Sequence, residues 1–246
     1  MVKNIKIEDD LQIQFFVPNK ICESRANTLY TKEPHTINWL NTFKSNEIFL
    51  DVGANVGMYS LYSAFKTNVN VFAFEPESQN FAILNKNIFL NKKNNQIISY
   101  PIALSNTNEY THLFLSKFDS GSSHHNIKEK IVNNNVYRKK TTCYKQGSVC
   151  ATIDTLIELN FIPQPDYIKI DVDGSEPNVI NGAANVLKNI KLKSLLVEVE
   201  PGREDHMSMV RYISNLGYKF CQKQVLECTR KSGKFKGQTY YIFYKI

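Results

Sequence analysis

Side chains that bind soft metals or form cross-links are scarce in this chain of 246 residues: it has five cysteines, an odd count, and five histidines. Cys22, Cys143, Cys150, Cys221 and Cys228 form no C-x-x-C pair, which argues against a zinc ribbon and against a disulfide framework. Reduced, mostly buried thiols in a reducing compartment are the expectation. No apolar run approaches the length of a membrane-spanning helix. The opening stretch MVKNIKIEDDLQIQFF is charged and alternating, unlike a signal peptide, so a soluble, cytoplasmic protein with no membrane span is expected. Lys and Arg number 30 against 23 Asp and Glu, a balance of +7, which tolerates an anionic partner without requiring one. The abundance of Asn, Lys and Ile is consistent with coding bias alone. Neither an internal repeat nor a linker interrupts the chain. One domain over residues 1–246 is expected, with 1–45 as an N-terminal extension and 117–143 as a substrate-side insertion.

Glycine is also missing from two places where a phosphate binder needs it. In FLDVGANVGMYS, Gly53 and Gly57 are four positions apart. A dinucleotide fingerprint has a glycine where Asn55 stands, to let the backbone approach a pyrophosphate, and another where Met58 stands. No Gly-Lys-Ser/Thr follows, which excludes a P-loop. The turn is open to a ligand but is not built around phosphate.

Around this turn the pattern is regular. EIFLDV (47–52) reads as a buried strand. Met58, Leu61, Tyr62 and Phe65 then fall on one helix face. NVFAFEP (70–76) reads as a second strand, 77–91 as a helix, and QIISYPIALS (96–105) as a third strand. After the polar middle, with extra strands expected at 110–115 and 141–152, DYIKIDV (166–172) and SLLVEVE (194–200) read as further parallel strands around a helix at about 176–188. A helix at about 204–216 and strands 218–225 and 239–246 close the chain. Residues 5–17 suggest a strand or hairpin, and 21–45 are helical but poorly patterned. Strands alternating with helices predict an α/β fold with a parallel sheet.

Two acids sit at strand ends. Glu75 ends the second strand, where a nucleoside-binding sheet keeps its ribose-hydroxyl acceptor, and a carboxylate accepts two hydroxyls well. Asp51 ends the first strand and suits a cationic ligand. S-adenosylmethionine combines a ribose, a sulfonium and an ammonium with no phosphate. The competing reading is that the acids merely cap strand ends.

FLDVGANVGMYS, VFAFEPE, IALS and IDTL…PDYIKIDVDGSE, in this order over about residues 47–201, resemble the FkbM family of S-adenosylmethionine-dependent methyltransferases. The resemblance implies a class I, Rossmann-like methyltransferase sandwich. Its sheet would be seven-stranded and mostly parallel, with the last strand antiparallel and helices on both faces. It further implies methyl transfer to a hydroxyl oxygen, often of a sugar or a polyketide. The family's KIDVEGxE reads KIDVDGSE here, with Asp173 in place of a glutamate.

Cofactor binding is expected from Asp51, Gly53, Ala54, Asn55, Gly57, Glu75 and Pro76, with Ala103 and Ser105 near the adenine. An alcohol is a weak nucleophile, so a base or metal should help remove its proton. Strand alternation puts Lys169, Asp171 and Asp173 on one face. Asp171 is the expected base or orienting group, Glu176 the binder of substrate hydroxyls, and Lys169 a partner of Asp171, the cofactor carboxylate or an anionic acceptor. A further possibility is Mg²⁺ on Asp171 and Glu198, since hard cations select carboxylate oxygens. His124 and His125 are expected to be solvated, as is the basic loop with Arg230, Lys231, Lys234 and Lys236. The partner expected is a small-molecule or glycan hydroxyl acceptor. The alternatives are an RNA methyltransferase, although only Phe235 stands among the loop charges as a stacking group, and a non-catalytic S-adenosylmethionine-binding protein.

Overall fold

The structure, a computed structural model, describes residues 1–127, 131–133, 136–138, 142–233 and 235–246, with 131–133 and 136–138 as backbone only; Lys234 and the rest of the 117–143 segment lie outside the described residues. In chain order the elements are β1 (Val2–Glu8), β2 (Leu11–Phe16), α1 (Lys20–Asn27), α2 (Pro34–Leu40), β3 (Ile48–Val52), α3 (Met58–Lys66), β4 (Asn70–Phe74), α4 (Ser78–Leu90), β5 (Ile97–Tyr100) and β6 (Ala103–Leu104). There follow β7 (Glu109–Leu115), β8 (Ile131–Asn133), β9 (Val136–Arg138), β10 (Tyr144–Ala151), α5 (Ile153–Glu158), β11 (Tyr167–Ile170), α6 (Glu176–Asn181) and α7 (Ala184–Lys188). The chain closes with β12 (Ser194–Val199), α8 (Glu204–Asn215), β13 (Tyr218–Phe220), α9 (Gln222–Cys228) and β14 (Thr239–Lys245).

Seven strands form one sheet in the order β13-β14-β12-β11-β3-β4-β5. The five strands from β12 to β5 pair in parallel, and β14 runs antiparallel to both its neighbours. The chain leaves β3 toward β4 on one side and returns to β11 on the other. That reversal opens a crevice beyond the carboxyl ends of the strands, the place where open α/β sheets hold ligands. Alternation along β3 sends Phe49 into the core packed by α2, α3 and α4, and Leu50 and Val52 into the opposite core with α5 to α8. Asp51 and Lys169 therefore share the first face.

The residues ahead of the sheet are fastened to it. The β1–β2 hairpin lies along α4, where Asn87 and Asn91 accept hydrogen bonds through Oδ1 from Phe16 N (2.7 Å) and Gln14 N (2.9 Å). Trp39 of α2 is buried edge-on against Phe43, Phe49 and Tyr167, and its Nε1 donates to Ser194 Oγ at 2.9 Å.

Several expected elements differ in extent. The strand expected over 96–105 ends at Tyr100, because Pro101 cannot donate to a ladder; Ala103–Leu104 instead pairs with β10, which pairs with β7. The 117–143 segment is thus the connection from β7 to β10. The helix expected over 176–188 breaks at Gly182, where a Cβ would stand 2.0 Å from the Ser105 carbonyl oxygen. The strand expected over 218–225 stops at Phe220 and α9 follows. β13 covers only residues 243–245 of β14, and Gln224 of α9 serves the remaining edge: its Oε1 accepts from Ile242 N and its Nε2 donates to Tyr240 O. No cysteine is in a disulfide; Cys22 and Cys150 are buried, Cys228 is half-buried, and Cys143 and Cys221 are exposed, so fewer thiols are covered than expected.

Candidate active site

The turn after β3 is left-handed at alternate residues, with φ of 80° at Gly53, 50° at Asn55 and 84° at Gly57. A Cβ on Gly53 would approach the Asp171 carbonyl oxygen to 2.0 Å, and one on Gly57 would approach Leu84 Cδ1 to 2.5 Å. Both glycines therefore answer to packing as well as to backbone conformation. The five amides of the turn are all consumed within the protein. Gly53 N and Ala54 N donate to Phe74 O, Asn55 N to Glu75 Oε2, Val56 N to Asn55 Oδ1, and Gly57 N to Ala54 O. No nest of amides is left for a phosphate.

Glu75 is buried just past β4. One carboxylate oxygen accepts from Asn55 N at 2.8 Å and the other from Glu77 N at 2.9 Å, which leaves each oxygen capacity for another donor. Burial pushes its carboxyl up to about 7 against the pull of those two amides, and the charges of Glu77 and Asp173 add to the rise. Glu75 lines a cavity of about 510 Å³, together with Gly53, Asn55, Pro76, Ala103 and Asp171. An apolar stretch of its wall is formed by Phe74, Ile102, Leu104, Leu113 and Val172.

Beneath the cavity floor lies a group of buried charges set by strand register. Lys169 stands opposite Asp51, and Glu198 opposite Tyr240. Lys169 Nζ is 3.6 Å from Asp51 Oδ1 and 3.4 Å from Asp171 Oδ2, and lies 5.5 Å from the centre of the Tyr59 ring. Burial works to discharge this lysine, but Asp171, Asp51 and Glu33 outweigh it and hold the ammonium above its ordinary value. Asp51 is only 1% exposed; its Oδ2 accepts from Ser60 Oγ at 2.6 Å, and its Oδ1 has no hydrogen bond and relies on the ammonium.

Glu33, which precedes α2, enters the same group. Its Oε1 accepts from Tyr240 Oη at 3.0 Å and pairs with Lys32 at 2.8 Å, while its Oε2 accepts from Tyr59 Oη at 2.7 Å. Burial would raise its carboxyl, yet Lys32 and then Lys169 bring it down to about 2. Arg230 donates to Tyr240 Oη at 3.2 Å and lies 3.4 Å from Glu198 Oε1. Burial, then Asp171, Glu176 and Asp173, push the Glu198 carboxyl well up, against the pull of Arg230.

Other expected site residues stand behind the wall. Ala54, Gly57 and Ser105 do not line the cavity, and neither do Asp51 and Lys169. Glu176 is fully buried; its Oε1 accepts from Val172 N at 2.9 Å and Gly174 N at 3.1 Å, tying the turn after β11, and its Oε2 lies 3.6 Å from His206 Nε2. Asp171 and Glu198 both line the cavity, but among the described residues no group of three or more His, Cys, Asp or Glu could hold a metal ion. The Mg²⁺ expectation gains no support from the donor set.

The histidine expectation changes. His124 and His125 line the cavity rather than stand in open solvent. His124 stacks on Phe235 at 4.5 Å, and its Nδ1 is 3.0 Å from Asp173 Oδ1. The loop ahead of them is held from below. Asn55 Nδ2 and Asn80 Nδ2 donate to Ser122 O, Gly121 N donates to Asn80 Oδ1, and Asn19 Nδ2 donates to Ser120 O. Arg230, expected in a solvated hairpin loop, is half-buried at the site, whereas Lys231 and Lys236 are exposed. Glu33 and Tyr240 carry no motif, Tyr59 stands inside FLDVGANVGMYS with no role assigned to it, and none of the three was expected here. A glutamate before a helix-starting proline was the one sequence signal, for Glu33 alone, and it is a weak one.

Residues 51–220 match the methyltransferase FkbM domain. The hexuronic acid methyltransferase AglP of Haloferax volcanii is 26% identical over 163 residues, covering 66% of this chain. The match spans 60% of that relative's length. Among solved structures, a putative rRNA methylase from Clostridium thermocellum aligns at a TM-score of 0.51 with 8% identity, over 87% of this chain and 94% of its own. An rRNA methylase from Streptococcus thermophilus aligns at 0.50 with 8% identity, over 86% and 95%. Both share the fold.

Proposed function

The chain belongs to the FkbM methyltransferase family, and from that premise we propose that it transfers the methyl group of S-adenosylmethionine to a hydroxyl oxygen of a sugar or glycan intermediate. The observation that carries the cofactor reading is the pairing of an acceptor-only carboxylate, Glu75, with a turn whose amides are already spent. Such a pocket takes a ribose diol and refuses a pyrophosphate. The apolar wall of Phe74, Ile102, Leu104 and Leu113 suits an adenine, and the nearby acids suit a cationic sulfonium. The name of the Haloferax relative supports a sugar acceptor.

In this reading Glu75 accepts the ribose hydroxyls, Gly53, Asn55 and Pro76 shape the nucleoside wall, and Ala103 lies against the adenine. Asp51 acts from behind that wall through Lys169. The bound cofactor supplies an electrophilic methyl carbon. Asp171 faces the cavity and takes, or orients, the proton of the acceptor hydroxyl. Lys169 is its positioning residue: an ammonium at 3.4 Å keeps one carboxylate oxygen engaged and leaves the other for the acceptor. Glu176 contributes by tying the turn that carries Asp171, and the Asp171–Glu198 pair needs no metal in this scheme. Positioning within the cavity, rather than any covalent step on the protein, sets the acceptor oxygen against the methyl carbon.

Labelled-methyl transfer from S-adenosylmethionine into neutral sugars, acidic sugars, nucleotide sugars and RNA tests the reading. Incorporation into a sugar at a base-stable ether position is the expected result. Incorporation into RNA alone would overturn it.

A further inference from the structure

Three basic side chains on the cavity wall come from a segment that precedes the matched family region: Lys20 and Arg25 of α1, and Lys32 just beyond it. Ser24 and Thr28 line the cavity beside them, so Lys20, Ser24 and Thr28, the last at the C-cap of α1, recur at helical spacing and show one polar stripe to the ligand space. These cations are not equally engaged. Lys32 is paired with Glu33 at 2.8 Å. Arg25 donates its Nε to the carbonyl of Gly121 at 2.6 Å, a bond that fixes the plane of the guanidinium. Among the described residues its two η nitrogens meet no acceptor, and Lys20 meets no carboxylate. The acids on the same cavity wall are Glu75, Asp171, Asp173 and Glu198, none of which pairs with either cation. An oriented guanidinium with an uncommitted fork on a cavity wall is a receptor for a two-oxygen anion.

We propose that Arg25, assisted by Lys20, binds an anionic group of the sugar acceptor, a carboxylate or a phosphate, so that the substrate is an acidic sugar. The inference rests on the sugar-hydroxyl reading above and adds the acceptor subsite. Asp171 repels the anion from the methyl-transfer end, which directs a hydroxyl rather than the charged group toward it. The cofactor's own carboxylate is the competing anion for Arg25, and the experiment separates the two.

The full chain, saturated with S-adenosylhomocysteine, is titrated with glucuronate, glucose 1-phosphate and glucose, and binding is followed by ligand-observed NMR. At least one acidic sugar binds about tenfold or more tightly than glucose, and which one identifies the source of the anion. Arg25→Ala weakens that binding by about ten- to a hundredfold, the range of a charge-assisted contact. Lys20→Ala, at an exposed position with no ion pair to lose, weakens it by about two- to fivefold. Neither variant changes the affinity for S-adenosylhomocysteine or glucose. The inference is overturned if glucose binds as well as both acidic sugars, if neither acidic sugar binds, or if Arg25→Ala loses S-adenosylhomocysteine instead. Methyl transfer to the same sugars tests the underlying reading separately. Methylated glucose with both acidic sugars ignored sinks the subsite and leaves the reading; an acidic sugar bound through Arg25 but never methylated does the reverse.

Discussion

Replacing Glu75 by glutamine separates what this side chain does for the ligand from what it costs the fold. Its carboxyl is raised from an ordinary 4.5 to about 7, chiefly by burial. The empty folded protein therefore holds that proton more tightly than the unfolded chain does. The contribution is unfavourable to the ionised form: stability falls as pH rises from about 4.5 through about 7, and is level above that. A displacement of this size corresponds to about 3 kcal/mol across the window. Glu75→Gln removes that slope and stabilises the empty protein at pH 8 relative to wild type, since an amide oxygen can still accept from Asn55 N or Glu77 N. Ligand binding moves the other way. A ribose diol needs an ionised acceptor, and hydrogen bonds to charged groups contribute about 1.5–3 kcal/mol, so the variant should bind about ten- to a hundredfold more weakly at pH 8. In wild type only about a tenth of the carboxyl is ionised at pH 6, and affinity there should be about tenfold lower than at pH 8. Calorimetry with 5′-methylthioadenosine, which lacks the cofactor's titrating amine and carboxylate, isolates the effect. Equal affinity of wild type and variant at pH 8, or a wild-type affinity that is flat from pH 6 to 8, would refute the assignment.

Gly53→Ala places a methyl 2.0 Å from the Asp171 carbonyl oxygen at a φ of +80°; a loss above about 3 kcal/mol is expected by denaturant titration. Asp171→Asn should lower kcat by about 10²- to 10⁴-fold with the cofactor Kd little changed, measured by single-turnover methyl transfer. Lys169→Met leaves Asp51 and Asp171 without their cation, and should cost about 3–5 kcal/mol in chemical denaturation. Asn80→Ala strands Gly121 N and leaves Ser122 O with the Asn55 bond alone, and hydrogen exchange over residues 119–126 should rise while the sheet amides stay protected.

The parallel sheet was legible because each strand is a short apolar run ended by a turn residue and followed by an amphipathic helix. Its boundaries failed where tertiary contacts decide. Gln224 belongs to a helix because β14 has an edge to satisfy, which no local pattern around YKFCQKQV records. The strand-end acids were legible as acids, but their depth was not. Asp51 and Glu75 look alike in sequence, yet one is sealed behind Lys169 and the other opens on the cavity. Asparagine abundance read as coding bias, with Asn55 alone singled out as a cofactor-binding residue, whereas Asn55, Asn80, Asn87 and Asn91 each fasten a strand or loop to the scaffold by two-ended hydrogen bonds. Glu33 was invisible because its partners, Tyr59, Lys169 and Tyr240, come from three distant parts of the chain.

The bond between Tyr240 Oη and Glu33 joins residues 207 positions apart. A ribosome adding about 5–20 residues each second makes Glu33 roughly ten to forty seconds before its tyrosine exists. During that interval the nascent chain has the nucleoside turn and, later, the lysine, but the floor beneath them is open on the side that β14 will close. Among the described strands β14 is synthesised after all the others, and it is the one that seals this charged part of the interior. The floor of the ligand site therefore waits on β14, however fast the first strands pair.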